Sequence, residues 1–146
     1  MFKRLLVPVD GTRRSASVVP LAVQLAKGFG GNVRLLNVID TRKLNGGSIV
    51  PTPAARRLAE VEVEQADEYL RTIALRLEGH GISTCREVRI GDPVKEILSA
   101  ADDSGCDAIT MATRARRNLG RLVFGSVADA VVRDSRLPVL LYRVAA

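Results

Sequence analysis

Nearly unbroken apolar runs alternate along this chain with stretches whose apolar residues return every three or four positions. Parallel strands buried on both faces and joined by helices are written this way. Leu5, Leu6, Val7 and Val9 make the first run, a strand over 3–9. Val18, Ala22, Leu25 and Phe29 then recur at helical spacing, which predicts a helix from about Ser15 to Phe29 closed by Gly30-Gly31. Val33 to Ile39 is the second strand, and Asp40 to Pro53, with Gly46-Gly47 and two prolines, reads as a mobile loop over the sheet rim. Val63, Ala66, Leu70, Ile73 and Leu77 mark one face of a long helix that ends near Glu78, before the turn at His80-Gly81.

The third strand, Ile82 to Ile90, alternates polarity through Cys85, Glu87 and Arg89, a pattern suited to a sheet edge. Asp92-Pro93 opens the next helix, Asp92 as cap and Pro93 in its first turn, with Val94, Ile97, Leu98 and Ala101 as its buried stripe. Cys106 to Ala112 is the fourth strand, a helix begins at Gly125-Ser126, and Pro138 to Val144 is the fifth. The expected architecture is α/β and Rossmann-like: one domain over 1–146, an open five-stranded parallel sheet of order 3-2-1-4-5 with helices on both faces. That order puts the charged third strand at an edge and a topological switch between strands 1 and 4. Their C-terminal ends, Val9 to Thr12 and Met111 to Thr113, then line one ligand crevice.

Composition narrows the options. A hydrophobic fraction of 47% and a charged fraction of 26% are ordinary for a globular domain. No apolar run reaches the ~20 residues of a membrane span, and the start of the chain lacks a secretion-signal pattern, so a cytoplasmic protein is expected. Cys85 and Cys106 lie far apart and read as reduced, packed thiols; with His80 as the one histidine, a zinc site lacks ligands. Aromatic content is only 3% and does not interleave with basic residues, which disfavours single-strand nucleic-acid binding.

The net charge of +6 has a distribution that matters more than its size. Arg13, Arg14, Arg42, Lys43, Arg56, Arg57, Arg114, Arg116, Arg117 and Arg121 all fall after strands 1, 2 and 4 or at the start of the long helix, and so toward one rim. Beside them, Gly125-Ser126 opens a helix whose first amides have no internal partner. That is an anion site if a ligand comes there, and an ordinary cap by Ser126 if none does. Asp10, at the end of strand 1, either meets a ligand or caps the Gly11-Thr12 turn. No nucleophile or second carboxylate stands with it, so no catalytic residues are expected.

LLVPVDGT at Leu5 to Thr12, IGDPVKEIL at Ile90 to Leu98, and GCDAITMAT…LGRLVFGSVADAVVRDSRLPVLLYR toward the C-terminus resemble the universal stress protein family across essentially the whole chain. The resemblance implies an adenine-nucleotide-hydrolase-like fold, often a homodimer, and in one branch ATP held by Gly-x2-Gly-x9-Gly-Ser/Thr. Another branch lacks that motif. Here the last pair is Gly125-Ser126, followed by Val127, while the first two glycines are replaced by Ala112 and Ala115. Glycine there lets backbone approach phosphate; Arg114, Arg116 and Arg117 offer compensating charge. The adenine-side contacts fall on Pro8, Asp10, Val38 and Met111.

Two functions from different classes follow. One is an ATP-binding stress-response regulator, with Mg²⁺ accompanying the nucleotide. The other is a nucleotide-free dimeric interaction module. Either way the apolar fifth strand, 138–144, needs a cover, and the resemblance implies a second copy of the chain. An enzyme is the weakest reading, with at most slow ATP hydrolysis, because the place of a Ser-Gly-Gly phosphate loop after strand 1 reads Asp10-Gly11-Thr12-Arg13-Arg14.

Overall fold

The structure, a computed structural model, describes residues 1–44, 52–114, 116–118, 121–123 and 125–144. Five strands form one parallel sheet: β1 (Arg4–Pro8), β2 (Asn32–Asp40), β3 (Thr84–Gly91), β4 (Ala108–Arg114) and, last in the chain, β7 (Val139–Val144). Their order is β3-β2-β1-β4-β7, which is the expected 3-2-1-4-5. Between β4 and the last helix the backbone adds an antiparallel hairpin, β5 (Arg116–Asn118) with β6 (Arg121–Val123), that the apolar pattern did not predict.

Strand β1 is apolar throughout because both its faces are covered. Leu5, Val7 and Val9 point into one core, with Val18 and Ala22 from the first helices and Leu70, Ile73 and Leu77 from the long helix α4 (Pro53–Gly79). Leu6 points the other way, into a second core built with Ile97 of α5 (Pro93–Asp103), Ile109 of β4, and Ala128 and Val131 of α6 (Ser126–Asp134). Each such side chain taken fully from water contributes about 1.5–3 kcal/mol. These two layers fix the sheet, and the sheet fixes the rim where its C-terminal ends stand.

The expected helix over 15–29 is two helices, α1 (Arg13–Ala16) and α2 (Val19–Phe29). Pro20 is the reason: it has no N–H to donate, so it sits in the first turn of a new helix and cannot lie inside a longer one. Gly30, at φ 65°, closes α2, and Gly31 lies so close to β1 that an added Cβ would stand 2.6 Å from the Phe2 carbonyl oxygen. The segment read as a loop from Asp40 begins instead with one helical turn, α3 (Thr41–Leu44); Gly46 and Gly47 lie outside the described residues.

The two edges differ. β3 is defended by charge: Arg89 bonds Glu87 at 2.6 Å and reaches Asp103 of α5 at 3.0 Å. Cys85 on this edge is exposed and not packed as its alternating context implied, because β3 has no strand on its outer side; Cys106 is buried as expected. β7 carries no comparable defence, and Leu140 and Tyr142 stand exposed along it. No helix among the described residues is long and apolar enough to cross a membrane.

Candidate functional site

At the C-terminal rim, where β1 and β4 part, the structure opens into a cleft of about 750 Å³, within the ~300–1,000 Å³ usual for small-molecule sites. The switch in strand order creates it: the chain leaves β1 toward one face and β4 toward the other, so no connection bridges the gap. Pro8, Asp10, Val38, Met111, Ala112, Gly125, Ser126 and Val127 all line it, brought there from four separate elements. Ala115 lies outside the described residues, and Arg116 is placed as backbone in the hairpin.

The start of α6 forms the cleft's polar wall. Gly125 is the N-cap, not Ser126, and having no side chain it makes no capping bond. The first backbone bond of the helix is Asp129 N–H to the Gly125 carbonyl at 2.9 Å. The amides of Ser126, Val127 and Ala128 therefore lie before the ladder begins, and all three residues border the cleft. By contrast α1, α4 and α5 are capped by Thr12, Thr52 and Asp92. Thr113 Oγ1 accepts from Gly125 N–H at 3.3 Å and ties this helix start to the end of β4. Sequence reading passed over that role; a buried threonine closing an apolar strand was the available signal.

Beside the start of α6, Val38, Met111 and Ile97 pack with Val127 and Ala128 and give the cleft an apolar slot; the family resemblance had marked Val38 and Met111 for a ligand, and apolar spacing had marked Ile97 for the core. Ala112 raises no strain: among the described non-glycine residues only Phe2 has positive φ, and the alanine packs against the first core while pairing with Tyr142 in the sheet. The departure from glycine at 112 thus leaves the cleft open.

Asp10 combines both of its expected roles. Its Oδ1 accepts from Thr12 N–H at 2.9 Å and from the Thr12 hydroxyl at 2.6 Å, capping the turn, while the residue borders the cleft. Thr12 in turn caps α1, and the Ser15 hydroxyl accepts from Asp10 N–H at 2.9 Å, so the strand-to-helix turn is a closed network. Burial raises the carboxyl, but the bonds from Thr12 and Ser15 and the Arg14 charge outweigh that and hold its pKa below the ordinary value. A depressed folded pKa gives stability that is present above the unfolded pKa, about 3.9, and lost as pH falls through the folded one. Asp10→Ala is expected to lower unfolding stability by about 1 kcal/mol at pH 7. In urea titrations the gap to the unmodified protein should narrow below about pH 4; a gap that does not change with pH would contradict this.

The basic rim is only partly assembled. Arg14, Arg42, Lys43 and Arg114 border the cleft, but Arg13, Arg56 and Arg57 do not. On α4 the cleft side runs through Leu58, Glu62, Gln65 and Tyr69, a helical stripe that Arg56 and Arg57 miss. Arg42 is also committed, bonding Asp40 Oδ2 at 2.7 Å and Oδ1 at 3.0 Å, and its guanidinium holds the Asp40 carboxyl below the usual range. The side chains of Arg117 and Arg121 lie outside the described residues. Tyr69, which the sequence reading did not select, contributes a hydroxyl that is shut from water without a partner. Burial pushes its pKa up; Ser15 pulls it back in part and the Asp10 charge adds to the rise, so the phenol is protonated at neutral pH. No group of three or more metal-ligating side chains gathers among the described residues.

Comparison with known proteins agrees with this fold. The model of the universal stress protein family matches residues 1–143. The universal stress protein MJ0531 of Methanocaldococcus jannaschii is 28% identical over 98% of this chain and 83% of its own length. The solved structure of MJ0577 from the same organism superposes with a TM-score of 0.83 at 27% identity, covering 99% of this chain and 97% of that one. Two neighbours that share the fold were solved with nucleotides. One is a universal stress protein in complex with cAMP (TM-score 0.65, 21% identity, 97% and 96% covered). The other, from Archaeoglobus fulgidus, holds dAMP (0.68, 18%, 94% and 95%).

Proposed function

The chain belongs to the universal stress protein family, and from that premise we propose that it is a regulatory protein that binds an adenine nucleotide, ATP foremost, in the rim cleft. One observation carries the reading: three uncapped amides, of Ser126, Val127 and Ala128, border a cleft that also holds the apolar slot of Val38, Met111 and Ile97. A phosphate on those amides gains hydrogen bonds and the positive end of the helix dipole, and a purine fits the slot. The complexes with cAMP and dAMP in proteins of the same fold support the same ligand class.

In this reading Pro8, Asp10, Val38 and Met111 hold the base and sugar side, and Ala112, Ala115, Arg116, Gly125, Ser126 and Val127 the phosphate side. Mg²⁺ fits as an ion carried by the phosphates with Asp10 as the nearby carboxylate, since such ions keep most of their water and need only one or two protein ligands. Asp10 Oδ1 is engaged by Thr12, which leaves Oδ2 for that task. Among the described cleft residues no base is paired with a nucleophile, which supports a role in binding and signalling over turnover.

Calorimetry with ATP tests it. Saturable binding is expected in the unmodified protein, weakened about tenfold or more in Ser126→Asp, whose carboxylate suits the helix dipole but repels phosphate; Arg116→Gln should weaken it less. Absence of heat and of thermal shift with any adenine nucleotide would reject the reading. We also propose that β7 pairs with a second copy of the chain and covers Leu140 and Tyr142. Light scattering at micromolar concentration should give twice the chain mass; a monomer mass would reject the pairing.

A further inference from the structure

The residues given to the nucleotide account for only one side of the cleft. The other side is walled by α1, α3 and α4, and several of its polar groups make no side-chain hydrogen bond among the described residues. Arg14 and Lys43 make no ion pair or side-chain hydrogen bond among the described residues. The Tyr69 hydroxyl and Arg114 Nε are closed off from water with no acceptor. Of the nearby acids, Asp40 is bonded by Arg42 through both oxygens and Asp10 by Thr12 through Oδ1. Ser15, which acts on the Tyr69 phenol, uses its donor on the Thr12 carbonyl and one lone pair on Asp10 N–H, and stands outside hydrogen-bond distance of the Tyr69 hydroxyl.

Arg114 belongs to this side by strand alternation. Ala112, two residues earlier, packs on the first core with Val18 and Tyr69, and α1 packs against β4. Thr113 between them turns toward Gly125. Arg14, Lys43, Arg114 and the protonated phenol of Tyr69 therefore border the same cleft, with Glu62 as a carboxylate that makes no ion pair or hydrogen bond among the described residues. Turning the Tyr69 hydroxyl and Arg114 Nε toward an incoming acceptor breaks no hydrogen bond among the described residues, while the exposed Arg14 and Lys43 exchange water for charge-assisted bonds.

We propose that this α1–α3–α4 side is a second oxyanion seat, separate from the start of α6, and that it takes a phosphate beyond the one held at Ser126. It rests on the nucleotide reading for the first seat. The second phosphate has two sources: the far arm of one ligand, or a free phosphate beside a mononucleotide.

Titration calorimetry of the full chain separates these, using AMP, diadenosine tetraphosphate, and pyrophosphate added to AMP-saturated protein. Arg14 and Lys43 are exposed, so Arg14→Ala and Lys43→Ala should fold normally, as a thermal melt verifies. Each variant should bind AMP within about twofold of the unmodified protein while losing roughly tenfold or more for the second phosphate. Glu62→Gln should strengthen it. A loss confined to diadenosine tetraphosphate assigns the seat to an arm of one ligand; a loss for pyrophosphate beside AMP assigns it to a free phosphate. Unchanged affinity for both probes, or an equal loss for AMP, overturns the second seat. Pyrophosphate that binds through Arg14 in a protein deaf to AMP and ATP would sink the nucleotide reading and leave this seat standing.

Discussion

Ile109→Ala is expected to lower the unfolding free energy by about 2–5 kcal/mol, out of the ~5–15 kcal/mol typical of a domain. Ile109 is fully buried near the start of β4, beside Leu6 of β1 and Val139 of β7, and packs with Ile97 and Val131 in the second core. Truncation leaves a cavity between sheet and helices that neither layer can close, since both are held by neighbouring strands. The same strand carries Met111 and Thr113 into the cleft, so nucleotide affinity should fall with stability. Urea titration at neutral pH measures the first effect; a loss under about 1 kcal/mol would mean that the second core tolerates a void here.

That result would bear on how a sequence of this kind announces its fold. The strand order was legible because burial on both faces leaves continuous apolar runs, and because charge on the third strand excludes it from the centre. Asp92-Pro93 announced its own helix start, and Asp92 Oδ2 does accept from Lys95 N–H at 3.0 Å. What failed had local physical causes. Pro20 divided a helix whose apolar spacing runs on across the break. Cys85 was exposed because alternation tells which residues share a face and not whether anything covers it. The rim was overcounted because charges near one another in sequence part when a helix turns them by 100° each, as it does Arg56 and Arg57. Tyr69 was missed since an aromatic beside the apolar stripe of an amphipathic helix carries no sign that its hydroxyl ends without a partner.

Gly125→Leu should separate folding from binding most sharply, with nucleotide affinity falling about 10–100-fold and stability changing by no more than about 1 kcal/mol. The backbone at Gly125, φ −57° and ψ 151°, is open to any residue, so no strain follows from a side chain. Among the described residues, a Cβ built there meets nothing nearer than Thr113 Oγ1 at 4.0 Å. The cost to the fold is then only the preference of helix starts for small or polar caps. Folding has no need of glycine at this place; a ligand approaching the Ser126, Val127 and Ala128 amides does, because a leucine side chain would stand across them. Paired thermal melts and calorimetry with ATP read the two effects in one preparation. If the leucine protein melts normally and still binds ATP as tightly as before, the phosphates lie elsewhere than at the start of α6.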